Sequence, residues 1–468
     1  MKQLFKHLMG GMLLMAMPLM MTSCEGTLDD IFGEWSRPTP GSSTGGAVTS
    51  IGLDADEMKL TVGDKGQLTA KVDPAGTAVT WSSDKEEIAT VDANGLVTAV
   101  AMGTAIITAK AGDKLATCTV TVTPGLSTPL TVEAITAGTI TITNPQSGMK
   151  YSTDGGTTKT EMTSTTNISV AEGDKVAFYG NGTSIKAYYS DDSDFSNDTN
   201  ISGGTAQVKV YGNIMSLVDE TGYEAATKLT GEFAFRYLFY GNTMLTDISD
   251  LQLPATKLTN RCYDSMFQGC TGLTTLPEKL LPATTLAEAC YRNMFYGCTS
   301  LTTIPEALLP ATNLTNQCYD SMFQSCTGLT TVPEKLLPAT TLTYQCYQSM
   351  FYGCTSLTTL PEKLLPATTL ADYCYQRMFQ DCEALTETPK LPATELKAHC
   401  YQYMFQGCAC LSSVTCLATD ISPFECTSNW LKDVAVSGTF TKSSSTTTWS
   451  SDASGIPSGW SVQNYVAP

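Results

Sequence analysis

Cys290-Tyr-Arg-Asn-Met-Phe-Tyr-Gly-Cys298-Thr-Ser-Leu301-Thr-Thr-Ile-Pro305 is one copy of the pattern that decides how the C-terminal half of this chain folds. The Leu-Pro-Ala-Thr motif begins at Leu253, Leu281, Leu309, Leu337, Leu365 and Leu391, in steps of 28 residues and finally one of 26. A period of this size builds an array, because a unit with a single apolar edge can bury it only against the next unit. Six units keep Cys-Tyr-x-x-Met-Phe-x-x-Cys-x-x-Leu, beginning at Cys262, Cys290, Cys318, Cys346, Cys374 and Cys400. A worn copy precedes them, in which Phe235, Leu238, Phe239, Gly241 and Leu245 hold register while Ala234 and Asn242 replace the two cysteines. Stacking of Leu, Phe, Met and Cys at fixed offsets predicts a short strand near Leu273–Leu276 and a helical turn over Cys262–Phe267. Seven units at about 4.8 Å each give a rod or shallow arc roughly 35 Å long.

The twelve paired cysteines of these units invite a disulfide framework, and the expected geometry argues against it. Eight helical residues separate a pair by about 12 Å, and equivalent cysteines in adjacent units have parallel Cα–Cβ vectors. Buried free thiols, acting as small apolar groups, are expected instead. Two columns vary between units and are expected to reach solvent. The residue before the first Cys reads Arg261, Ala289, Gln317, Gln345, Tyr373, His399. The second after it reads Asp264, Arg292, Asp320, Gln348, Gln376, Gln402. Tyr296 and Tyr352 mark a third column otherwise filled by glutamine. Aromatic and arginine side chains are the usual anchors of binding surfaces, so Tyr296, Tyr352, Tyr373, Arg261 and Arg292 are the candidate ligand-binding residues.

The unit resembles the BspA-like leucine-rich repeat of bacterial surface proteins, keeping its Phe, usually its Gly, its second Cys and its Leu. Cys, Tyr and Met replace that family's Ile, Gly and Ala. The resemblance covers 231–416 and implies a leucine-rich repeat solenoid of the α/β type. Residues 417–468, with Gly438-Thr-Phe440 and Gly455-Ile-Pro-Ser-Gly-Trp460, resemble the segments flanking such repeats and are read as a cap and β-rich tail.

The N-terminal half is β-patterned. Met58/Leu60/Val62, Leu68/Ala70/Val72 and Val79/Trp81 alternate with polar neighbours, and Asn94-Gly95 lies between two short apolar runs as a hairpin turn. Val79-Thr-Trp-Ser-Ser83, Ile88-Ala-Thr-Val-Asp92 and Gly95-Leu-Val-Thr-Ala99 resemble a group 2 bacterial immunoglobulin-like domain over 48–123, a type that implies a stalk or adhesion module. Residues 124–230 read as a second β-rich domain with the lead-in to the repeats. Within it, Asp191 to Asp198 is acidic but has Asn197 and Gly203 where a calcium-binding hand needs Gly and Glu, so a solvated loop is expected. The whole chain is therefore expected to be mainly β and multidomain.

Lys2, Lys6 and His7 precede the apolar run Leu8–Met21, which is too short to span a bilayer and reads as a signal peptide over 1–23. Met21-Thr-Ser-Cys24 resembles a lipobox, and Glu25, Asp29 and Asp30 resemble the acidic tract that exports Bacteroidetes-type lipoproteins. Together they imply lipid attachment at Cys24 and display on the outer membrane, with 24–47 as acidic tract and linker.

A net charge of −18 repels phosphate backbones, so nucleic acid is not an expected partner. With two histidines and no nucleophile–base pair at a persuasive spacing, neither catalysis nor a metal or other cofactor is expected. The expected partners are the outer membrane, through the lipid, and a host protein, cell or glycan. A structural spacer is the alternative. Leu-Pro-Ala-Thr imitates a sortase signal but recurs six times, and Asp264-Ser-Met and Asp320-Ser-Met match an O-glycosylation tripeptide no more often than chance allows.

Overall fold

The computed structural model describes residues 47–180, 198–445 and 449–466. The expected signal peptide, Cys24, the acidic tract and most of the acidic loop before Asp198 lie outside them. The fold is mainly β and multidomain, with six sheets.

The first unit contains nine strands: β1 Ser50–Leu53, β2 Glu57–Thr61, β3 Lys65–Gln67, β4 Ala70–Asp73, β5 Thr80–Ser83, β6 Ala89–Val91, β7 Leu96–Ala99, β8 Gly103–Ala111 and β9 Lys114–Thr123. Their sheets run β2-β9-β8-β5, β3-β7-β6 and β1-β4. Alternate residues of β8 and β9 point inward, so Ala105, Ile107, Cys118, Val120 and Val122 meet Leu68, Val97 and Ala99 in a core of their own. The hairpin read from Asn94-Gly95 joins β6 to β7. Gly95 has φ 82°, and a Cβ there would lie 2.5 Å from the Leu68 carbonyl oxygen, so only glycine fits. Asp92 accepts from the Asn94 and Leu96 amides, and these bonds hold its carboxyl below the usual range.

The second unit has β10 Thr131–Ala134, β11 Gly138–Thr143, β12 Lys150–Ser152, β13 Thr160–Glu161, β14 Thr166–Val170, β15 Lys175–Tyr179, β16 Asn200–Gly204 and β17 Val208–Asn213. One sheet runs β13-β12-β15-β10-β17 and faces β14-β11-β16. β17 then pairs in parallel with β18 Leu245–Asp247 and β19 Leu251–Gln252, which belong to the worn first repeat. The second unit thus caps the repeats, and one hydrophobic core continues from Leu130 to Trp460.

From Leu229 onward the repeated units stack, but their local structure differs from the expectation. No α-helix occurs among the described residues, so the α/β character is absent; Ile214–Leu217 and Tyr223–Ala225 are short 3₁₀ turns. Leu273–Leu276 is not a strand. Pro277 directly after it, and Pro305, Pro333 and Pro361 in later units, restrict the preceding residue and remove a backbone donor. Parallel bridges form elsewhere, linking Lys257, Thr285 and Asn313. Cys262–Phe267 is a run of linked β-turns. Cys262, Asp264 and Met266 donate to the carbonyl three residues back, while Tyr263, Ser265 and Phe267 donate to Cys290, Arg292 and Met294 of the next unit. A helix would consume every amide within the segment; here every second amide bonds the neighbouring unit.

Two aromatic ladders fill the interior. Tyr263, Tyr291, Tyr319, Tyr347, Tyr375 and Tyr401 stack at 5.7 to 6.1 Å between ring centroids. Phe239, Phe267, Phe295, Phe323, Phe351, Phe379 and Phe405 stack at 5.4 to 5.8 Å. Trp430 closes both ladders, and its indole N–H donates to the Gly455 carbonyl at 2.8 Å. Beyond it, β20 Ser413–Cys416, β21 Gly438–Lys442 and β22 Trp460–Asn464 form a parallel sheet at the C-terminal end, where a cap was expected.

Candidate functional site: the turn face of the repeats

The linked turns need a left-handed residue at every fourth position. Arg261, Ser265 and Gly269 have φ 54°, 57° and 74°, and Gln317, Ser321 and Ser325 repeat this at 56°, 55° and 58°. Each such non-glycine residue costs about 1–2 kcal/mol, offset by the ladder of bonds to the next unit. Between these positions, Cys, Tyr, Met and Phe point inward.

All sixteen cysteines of the described residues are free thiols, and both repeat columns are buried. In the second column each thiol donates to a carbonyl of the preceding unit: Cys270 to Phe239, Cys298 to Phe267 and Cys326 to Phe295, all at 3.2 Å. Burial pushes Cys262, Cys270, Cys326 and Cys346 up to about 12. They are packing groups with a weak donor, not nucleophiles. No group of three or more His, Cys, Asp or Glu suited to a metal occurs among the described residues.

The column two residues after the first Cys is a correction. Asp264 is fully buried, as are Gln376 and Gln402 to within a tenth of their surface. Arg292, Asp320 and Gln348 are half-buried, and the column varies because its members satisfy one another across units more than because it faces solvent. Arg292 pairs with Asp264 at 2.7 Å, and Gln348 donates to Gln376 at 2.8 Å. Gln376 in turn donates to Gln402, and Gln402 to Glu425. Arg236 of the worn unit sits in the same register and pairs with Asp198 at 2.8 Å. Arg292, a candidate contact residue, is therefore spent largely on this internal spine. Asp320 has the Ser321 hydroxyl at 2.8 Å while the guanidinium of Arg292 is turned to Asp264, and burial raises the Asp320 carboxyl to about 6.

The remaining candidates do reach the surface. Tyr296 and Tyr352 are half-buried, and burial followed by the Asp381 carboxylate pushes the Tyr352 phenol up. Arg261 is half-buried, with its guanidinium over the Phe233 ring at 5.7 Å. Tyr373 stacks on His399 at 4.3 Å and meets Tyr344 edge-on at 5.7 Å. His399 meets Phe424 edge-on at 5.2 Å, and Tyr344 and Phe424 are 44% and 69% exposed, so these four rings form one surface cluster.

Tyr240 escaped the sequence reading. It occupies the third column of the worn unit, one position before Gly241, and is 41% exposed. Aligning the worn copy residue by residue would have found it. Its ring meets Tyr237 edge-on at 5.1 Å, and the Asn200 amide donates to the Tyr237 and Tyr240 carbonyls at 2.9 and 3.0 Å. Together with Thr143, Asn144, Asp198, Ser202 and Gly241 they line a cleft of about 410 Å³ where the second unit meets the repeats.

A bacterial Ig-like domain is found at residues 77–124. The structure adds β1 to β4 and the start of the core to that stretch. Over 90 residues, 19% of this chain, the sequence is 46% identical to a lacto-N-biosidase of Bifidobacterium bifidum. Over 81 residues, 16% of the chain, it is 42% identical to an uncharacterized protein of Clostridium acetobutylicum. The chain spans about 8% of the length of each of these relatives.

Proposed function

We propose that this chain is a surface lipoprotein, anchored to the outer membrane through Cys24, that displays a BspA-like leucine-rich repeat solenoid on its Ig-like domain and second β domain. The array serves adhesion, binding a host protein, another cell or a glycan, and the chain acts as a binding module and not as an enzyme. The observation that carries this reading is the contrast between an interior held constant from unit to unit and exposed aromatic rings on the turn face. Tyr344, Tyr373, His399 and Phe424 make one continuous cluster there, and large rings left at a surface are the common anchors of interfaces.

A glycan array and a host-matrix protein array, probed with the purified full chain, test the reading. Binding on either supports it. Silence on both favours a structural spacer, a reading to which one observation lends weight: the variable spine from Arg236 to Gln402 is spent on internal pairing. Palmitate labelling tests the anchor, with label lost in Cys24→Ala.

A further inference from the structure

We infer that the third column, Tyr240, Tyr296 and Tyr352, is a stacking platform for an extended, uncharged β-1,4-linked glycan, with the cleft beside Tyr237 taking one end. This rests on the proposed binding role of the array and names its ligand class. Read through the units, the column is Tyr240, Gln268, Tyr296, Gln324, Tyr352, Gln380, Gln406. Tyrosine thus recurs at every second unit over the first five.

Each of these tyrosines precedes a glycine, Gly241, Gly297 and Gly353, at φ 68°, 70° and 71°. Gln268 and Gln406 also precede a glycine, whereas Ser325 and Asp381 follow Gln324 and Gln380. A ring followed by glycine has no neighbouring Cβ to cover it, and Tyr240 is 41% exposed while Tyr296 and Tyr352 are half-buried. The spacing is fixed by the core. Phe239, Phe267 and Phe295 immediately precede the column residues and stack at 5.4 and 5.6 Å, so two units advance about 11 Å. That distance is comparable to two pyranose rings end to end.

In a β-1,4-linked chain each sugar is turned over relative to the last, so equivalent faces recur at every second residue. Rings at alternate units match that recurrence, and the intervening Gln268 and Gln324 offer amides for hydroxyls. A helical α-1,4 chain has no such two-residue straight repeat. The column residues themselves are neutral and the chain carries −18, which disfavours anionic glycans. At the N-terminal end the platform runs into the cleft, where the Tyr237 and Tyr240 rings are set edge to face and Ser202 lines the wall. Several weak stacking sites on a rigid spacing predict affinity that climbs steeply with oligosaccharide length.

The test is calorimetric titration of the full chain, in detergent, with cellohexaose, chitohexaose and maltohexaose. The expected result is binding of one or both β-1,4 hexamers, at least tenfold weaker binding of the matching disaccharide, and none of maltohexaose. The triple variant Tyr240→Ala/Tyr296→Ala/Tyr352→Ala loses at least tenfold, while the Tyr→Phe triple, which keeps the rings and the packing, retains most affinity. Leu115→Ala, at an exposed position of the Ig-like unit, leaves glycan binding unchanged. Failure of both β-1,4 hexamers to bind, or indifference of their binding to the Ala triple, overturns the inference. If no β-1,4 hexamer binds while a matrix protein does, and its binding falls in Tyr344→Ala/Phe424→Ala, the inference fails while the adhesive reading stands. If neither glycan nor matrix protein binds, both fail.

Discussion

A carboxylate at position 320 is poorly served by its neighbours. Arg292 gives its guanidinium to Asp264, and Asp320 keeps the Ser321 hydroxyl, so burial raises its carboxyl to about 6. An ordinary unfolded Asp titrates near 3.9, so the folded state holds this proton more tightly. Below about pH 3 both states are protonated and the group is neutral to stability. As pH rises through 6 the folded protein loses up to about 2 to 3 kcal/mol, because the unfolded state ionises first. Asp320→Asn should therefore stabilise the repeats at pH 7.5 and leave them unchanged at pH 3; thermal melts of both proteins across this range check it, and parallel profiles would refute it. Position 325 offers a second residue-scale prediction. Ser325 is left-handed in a column that is mostly glycine, so Ser325→Gly should relieve strain and stabilise by about 0.5–1 kcal/mol, read from the repeat transition in urea.

At the scale of elements, strands and repeats differ in how much of them the sequence displays. Alternation in the Ig-like unit and the Asn94-Gly95 turn predict β6 and β7 because a half-buried strand must alternate. The inward Cys, Met and Phe of the repeats are legible for the same reason: residues that never change fill a closed interior. The turn chain was not legible. Its left-handed positions are occupied by Arg261, Ala289, Gln317 and Ser321, none of which advertises positive φ, and the apolar spacing imitates a helix. The spine misled in the opposite way, since residue variation was equated with exposure, while Arg–Asp and Gln–Gln pairs can be exchanged in a buried column if both partners change. One consequence concerns thiols. Cys410 is exposed and every other described cysteine is buried, so alkylation of the native chain should modify Cys410 at once and the repeat cysteines only after denaturation. Rapid native modification of Cys298 or Cys326, located by mass spectrometry, would contradict the packing.

For the whole molecule, three features work together. The Ig-like unit has its own core, whereas the second β unit shares one with the repeats through the parallel pairing of β17 with β18 and β19. The repeats are therefore capped at both ends, by a β unit at one and by Trp430 and the β20–β22 sheet at the other, as stacked arrays require. Between the caps, one side of every unit is a ladder of turns whose outward positions carry the exposed rings. Ligand binding is proposed for this side, and hydroxyl-radical footprinting tests it most directly. The full chain is probed with and without the tightest-binding partner found on the glycan and matrix-protein arrays. The account predicts that oxidation falls at Tyr240, Tyr296 and Tyr352 or at Tyr344, Tyr373 and Phe424, while Trp81 and Tyr151 are unchanged; protection confined to the N-terminal β units, with the turn-face rings oxidised as before, would contradict it.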